Sequence, residues 1–207
     1  MMLPRFFAIL AVLTLAACSS APLRYYTLVD GGAPVPAADT GSAPRMPFVL
    51  TRVGIPVQVD QPQLVLRDGP QRIDLLESDR WIAPLGDEVR AALSADLARD
   101  LPGRDVTGLA EASGTALGVK LDLRRFDSVP GVQAAIEAAW TLHLPRGDDK
   151  AAAVLSCSTG ITEPVAAATG PGYDALVQAH QRALGKLAAA IAGAAQALAG
   201  SGQAVCP

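Results

Sequence analysis

The side chains able to do chemistry are few and scattered. Only two histidines occur, His143 and His180. Neither has a carboxylate or thiol at the spacing a metal site needs. His143 falls on the wet face of an expected strand, and His180 on the buried side of an expected helix. Ser156-Cys157-Ser158 lies mid-strand, where no strained nucleophile elbow is expected, and no G-x-S-x-G occurs. Gly108, Gly114 and Gly118 lack phosphate-loop spacing. Gly170-Pro171-Gly172 could offer amides to an anion, but as a bare turn before a helix it needs no ligand. Asp148-Asp149 is a solvated turn pair. No catalytic residue, metal or cofactor is expected, and the chain is not read as an enzyme.

The cysteines say more. Arg5 is the only charge among the first seventeen residues, and Phe6 to Ala17 is apolar except for Thr14. A basic start, a short apolar run and small residues before a cut describe a secretory leader. The run falls short of the roughly 20 residues of a spanning helix. Leu15-Ala16-Ala17-Cys18 resembles the bacterial lipobox. That resemblance implies removal of residues 1–17 and acylation of Cys18; plain secretion with an incidental Cys18 is the alternative. Two or more acyl chains give lasting attachment where one does not. Ser19, rather than Asp, follows the anchor, which implies the periplasmic face of the outer membrane. Cys157 and Cys206 remain, an even pair in an oxidising compartment. We expect a disulfide between them that pins the tail to the sheet, against a buried Cys157 and a free Cys206.

Without the leader, 190 residues remain, enough for one domain with a real core. They carry 16 basic and 20 acidic side chains, a net charge of −4. There is no Lys/Arg run, and a mildly acidic surface repels phosphate, so nucleic acid is not an expected partner.

Residues 18–47 are expected to be a lipidated Cys and a flexible Pro/Gly/Ala tether. The β-prone stretch Arg24-Tyr25-Tyr26-Thr27-Leu28-Val29 interrupts it as a short docked strand. A single domain is expected over 48–207. Val49, Thr51, Val53, Ile55, Val57 and Val59 share one face at period 2, although Pro56 marks an edge or a bulge. Runs at 62–67 and 71–77 flank Asp68-Gly69-Pro70, a hairpin signal. Pro84, Asp87 and Glu88 suit a helix start, and Leu85, Val89, Leu93, Leu97 and Leu101 make its buried stripe. Alternation then predicts three strands, near 117–126, 132–144 and 153–161, as an antiparallel meander. A long helix follows from Tyr173 to about Leu198, with Leu176, Val177, His180, Leu184, Leu187 and Ile191 on one side. The order predicts an α+β fold, an antiparallel sheet with two main helices packed on one face.

Four stretches also carry a resemblance: the Ile55-Pro56 strand, Asp60-x-Pro62-Gln63-Leu64-Val65-x-Arg67, Arg80-Trp81-x-x-Pro84-Leu85, and Arg24-Tyr25-Tyr26-Thr27-Leu28 behind the lipobox. Together they resemble the PqiC-like ABC-type transport auxiliary lipoproteins. That resemblance implies a non-catalytic outer-membrane lipoprotein docking a periplasmic MCE-domain protein, in a system that moves phospholipid between the two membranes. A homo-oligomeric ring is a reasonable expectation, because MCE proteins form rings. An assembly lipoprotein for another outer-membrane machine, such as lipopolysaccharide export, is the alternative; a periplasmic hydrolase is the less favoured one.

Tyr25, Tyr26, Arg67 and Trp81 are the partner-binding candidates, because aromatic residues and Arg are favoured interface anchors. Each has a structural alternative. Trp81 could plug the core, the tyrosines could belong to a docked strand, and Arg67 could pair with Glu77 or Asp79 across the hairpin.

Overall fold

A computed structural model describes residues 22–31, 46–51, 53–101, 103–109, 116–146, 152–167 and 172–207. The leader 1–17, Cys18, Ser19, most of the Pro/Gly-rich stretch, Gly114, Asp148-Asp149 and Gly170-Pro171 lie outside those residues. The elements run β1 (Arg24–Tyr26), β2 (Phe48–Leu50), β3 (Gln63–Arg67), β4 (Ile73–Trp81), α1 (Leu85–Asp100), β5 (Leu117–Val129), β6 (Gln133–Leu144), β7 (Ala153–Pro164) and α2 (Asp174–Ser201).

The fold is α+β, with a correction to the expected sheet. The strands form two sheets, ordered β1-β4-β3 and β2-β5-β6-β7, and both are mixed. The β3–β4 hairpin and the β5–β6–β7 meander are antiparallel. β1 lies parallel to β4 and β2 parallel to β5. Hairpin turns announce antiparallel pairs locally. A parallel pair joins segments far apart in the chain, so nothing beside residues 24–26 or 48–50 could announce it.

The strand expected from Phe48 to Val59 is much shorter. Only Phe48–Leu50 is strand, and it buries Phe48 and Leu50, the opposite face from the one expected. A single bridge follows at Gly54, where an added Cβ would lie 1.9 Å from Asp122 Oδ1. Pro56 then opens a turn, its carbonyl accepting from the Val59 and Asp60 amides. Val57 is left largely exposed. Apolar alternation alone cannot distinguish a strand from a bent segment hugging a sheet edge.

The longer elements follow their patterns closely. Leu117, Val119, Leu121 and Leu123 face inward on β5. A register shift between Leu123 and Arg125 then moves the inward face to Phe126 and Ser128. On β6, Ala134, Ile136, Ala138, Trp140 and Leu142 are buried, whereas Val132 stays in the exposed turn before the strand. α1 buries Leu85, Val89, Leu93 and Leu97, each 1 % exposed or less. α2 packs on β5, β6, β7 and α1. By length and composition α2 could cross a membrane, yet here it is the central core helix. Its alanines are part of the reason: Ala179, Ala183, Ala188 and Ala195 are fully buried beside Leu184, Leu187 and Ile191, and small side chains allow close approach of helix and sheet. One apolar cluster draws on both sheets and both helices.

α2 ends at Gly202, whose positive φ of 73° places it in the left-handed region. Its amide donates to the Leu198 carbonyl, a common helix stop. The tail then turns back to the edge strand β7, where Cys206 is bonded to Cys157 with 5.5 Å between Cα atoms, within the range a disulfide spans. The crosslink closes a segment with a sequence separation of 49 residues. Replacing both cysteines by serine should lower unfolding stability by about 2–4 kcal/mol, read by denaturant titration of oxidised parent and variant. Leu93→Ala, at a site 0 % exposed, should cost about 2–5 kcal/mol in the same measurement.

Candidate functional site

The motif residues singled out in the sequence converge where the N-terminal segment meets the body. The register of β1 on β4 puts Arg24 beside Asp79, Tyr25 beside Arg80 and Tyr26 beside Trp81. Alternation sends Arg24, Tyr26, Asp79 and Trp81 to one face. There the Arg24 guanidinium grips Asp79 through two bonds, Nε to Oδ1 at 2.7 Å and Nη2 to Oδ2 at 2.9 Å. The Tyr26 hydroxyl donates to Asp79 Oδ1 at 3.0 Å and accepts from the Tyr173 amide at 3.2 Å. Asp79 is buried. The bonds from Arg24 hold its carboxyl below the usual carboxylate range, against the opposing effect of burial. Burial, in turn, pushes the Tyr26 phenol up.

Two residues on, a second carboxylate takes over. Glu88 Oε2 accepts from the Thr27 hydroxyl at 2.7 Å and from the Leu28 amide at 2.8 Å. Gln181 Nε2 donates to the Thr27 carbonyl at 3.2 Å. Leu28 beneath them is buried. Residues 24–28 are therefore locked onto β4 and α1 by two buried carboxylates and onto α2 by Gln181. By sequence position Glu88 is a simple helix-dipole charge. In the fold it is instead a socket for the chain that precedes the domain.

The partner-binding candidates divide accordingly. Trp81 and Tyr26 are buried, and only Tyr25 points to solvent, 55 % exposed. Arg67 pairs with neither Glu77 nor Asp79. Its Nη2 lies 2.9 Å from Asp127 Oδ1 on β5, and Arg125 Nε reaches the other oxygen at 2.7 Å. That ion pair joins the two sheets. Burial pushes the Asp127 carboxyl up, but bonds from Arg67 and Arg125 outweigh it and hold the group below its ordinary value. Sequence alone could not find this pairing: sixty positions separate Arg67 from Asp127, and the sheets meet only in the fold.

An aromatic row crosses the same junction. The Trp81 ring meets Phe126 edge-on at 6.1 Å, and Phe126 stacks on His180 at 3.9 Å, both close enough for favourable ring contacts. His180 is fully buried, and its Nε2 shares a 2.8 Å hydrogen bond with the Ser128 hydroxyl. His143, in contrast, is exposed on β6. Burial lowers the His180 pKa to about 3, with only a weak opposing pull from Asp127. The imidazole is thus neutral at ordinary pH and serves as a packed ring.

Among the described residues, two surface clefts stand out. One, about 310 Å³, is lined by Arg24, Gly131, Val165, Tyr173 and Leu176 among others. The other, about 540 Å³, lies across the outer face of the meander near Lys120, Asp122, Arg124, Thr141, Ser156 and Ser158. Among the described residues, no group of three or more His, Cys, Asp or Glu side chains could hold a metal.

Residues 26–192 match the family of the ABC-type transport auxiliary lipoprotein component. The chain belongs to that family. This auxiliary lipoprotein has no match among curated proteins, but solved structures share its fold. An uncharacterized protein superposes with a TM-score of 0.62 at 18 % identity, covering 84 % of this chain and 98 % of its own. A Xanthomonas campestris protein of family DUF330 superposes with a TM-score of 0.52 at 15 % identity, covering 83 % and 91 % respectively. The family match begins at Tyr26, so it takes in Tyr26, Thr27 and Leu28 of the locked N-terminal segment as well as the body as far as residue 192.

The buried histidine predicts how the auxiliary lipoprotein responds to acid. The unfolded chain protonates His180 near pH 6.5, while the folded chain resists until about pH 3. Between those values the unfolded state binds more protons, so stability falls as pH falls, by up to about 1.4 kcal/mol per pH unit. Denaturant titrations at several pH values should show this slope. His180→Gln, which cannot titrate, should flatten it between pH 6.5 and 4.

Proposed function

We propose that this protein is the outer-membrane lipoprotein of an MCE-type system that moves phospholipid between the inner and outer membranes. Its part is positional: it docks the periplasmic MCE-domain protein at the outer membrane and does no chemistry itself. The observation that carries this reading is the family match over residues 26–192, which takes in the 53–85 motifs and most of the Arg24–Leu28 start. The lipobox at Cys18 supplies the anchor, and Ser19 directs it to the outer membrane. Tethering raises the local concentration of a docking surface at the bilayer, which is what a non-catalytic subunit can contribute. Copies of the chain would form a ring to match a ring-shaped partner.

Two tests follow. Cys18→Ala should abolish the acylated mature form, read as a mass change, and release the protein from the membrane fraction. The lipidated protein, pulled from gently solubilised envelopes, should bring an MCE-domain protein with it. Val57 and Leu75 are exposed apolar residues within the motif region. Val57→Asp with Leu75→Asp should therefore reduce that recovery while thermal unfolding stays unchanged. Recovery of a lipopolysaccharide-export machine instead would overturn the MCE reading. Recovery of no partner, together with turnover of ester or peptide substrates, would overturn the non-catalytic reading.

A further inference from the structure

We propose that the outer face of β1 and the end of β4 form a membrane-contact surface, with Leu23, Tyr25 and Ile82 seated in the lipid interface of the bilayer that holds the anchor. The inference rests on acylation of Cys18, but not on the identity of any protein partner.

The first argument is length. Only five residue steps separate Cys18 from Leu23, and residues 24–28 are fixed to the body by Asp79 and Glu88. Five extended residues span at most about 18 Å. A folded body of roughly 160 residues has a radius of gyration near 15 Å and a diameter of about 40 Å. The tether is thus shorter than the body is wide. A chain anchored at Cys18 cannot carry β1 to the far side of the body and keeps Leu23 within about 18 Å of the bilayer.

The second argument is the chemistry of the face so placed. Tyr25 and Arg80 are register partners on the side away from the core. Ile82 follows Arg80 by two residues, and its amide donates to the Tyr26 carbonyl, continuing the strand pairing. Leu23, Tyr25 and Ile82 are 53 %, 55 % and 62 % exposed. Aliphatic side chains beside a tyrosine suit the boundary between headgroups and acyl chains. Arg80 between them suits lipid phosphate, since basic groups next to a membrane are drawn to anionic lipid. Other exposed apolar residues, such as Val154 on β7, have no comparable tie to the anchor. The lock on residues 24–28 therefore has a second consequence: it keeps the β1 side of the domain towards the membrane, where contact through this face would set the orientation of the whole body.

The test uses the full lipidated protein in vesicles of phosphatidylethanolamine and phosphatidylglycerol, with acylation verified by intact mass. Tyr25→Trp, Ile82→Trp and the control His143→Trp each add one emitter at an exposed site, and thermal unfolding confirms that each folds as the parent does. With lipids brominated on the acyl chains, emission added at 25 and 82 should shift to the blue and be largely quenched, while that at 143 should not. If all three emitters behave alike and remain unquenched, the membrane contact is wrong. If 25 and 82 are unquenched on vesicles but Tyr25→Ser with Ile82→Ser abolishes recovery of a protein partner, the face is a protein interface and the proposal is overturned. If intact mass shows no acyl group, the anchor reading itself fails and takes the inference with it, a result distinct from loss of quenching on an acylated chain.

Discussion

A carboxylate placed inside a protein stays charged only if donors surround it. At Asp79 that requirement organises much of the molecule. Burial makes the ionised group costly, and the donors that satisfy it come from Arg24 and Tyr26, more than fifty residues away. Tyr26 passes the connection on to the start of α2 through the Tyr173 amide. Glu88 repeats the device one layer over, binding Thr27 and Leu28 from the first turn of α1. Two buried acids thus convert a short three-residue strand into a fixed part of the domain. They act together with the burial of Tyr26 and Leu28 and the Gln181 bond to the Thr27 carbonyl, since three residues of parallel pairing alone give few hydrogen bonds.

The same region joins the two sheets. The β1-β4-β3 sheet and the β2-β5-β6-β7 sheet share no strand, so their relative placement depends on side chains. Arg67 reaches Asp127, which also takes Arg125. Trp81 meets Phe126 edge-on and Phe126 stacks on His180, a row from β4 through β5 to α2. Charge supplies direction at the rim of this junction, and ring packing fills its interior. The neutral imidazole fits because burial removes its charge, so it behaves as an aromatic ring with one polar atom directed at Ser128. What unites the region is positional: the residues hold two sheets, a helix and the incoming chain in one arrangement.

Much of this architecture is legible in the amino-acid sequence. The stripe on α1, the core side of α2, the meander and the hairpin at Asp68-Gly69-Pro70 all follow from periodicity and turn residues, because each element buries a face of its own. The departures have a common origin. The Phe48–Val59 alternation has the pattern of one strand, but after three residues of strand only a bridge at Gly54 remains, and Pro56 opens a turn. The parallel pairs β1–β4 and β2–β5 leave no local signal because their partners are remote. Arg67 has acids nearby in sequence, whereas its true partner lies on another sheet. Tyr26 and Trp81 are interface anchors by residue type, and the fold takes the other reading open to them, a docked strand and a core plug.

The sequence by itself determined the α+β class, the extent of the long elements and the family to which the chain belongs. Those properties are written in local patterns: apolar period, turn residues and short motifs. The tertiary structure alone decided which charges meet, which aromatics are spent in the core and which, like Tyr25, remain on the surface. Those properties depend on contacts between residues tens of positions apart, and a pairing of that kind leaves no mark in the spacing of either partner. The division has a physical basis. Secondary structure answers to neighbours along the chain, whereas a buried carboxylate answers to whichever donor the completed fold brings within hydrogen-bond distance.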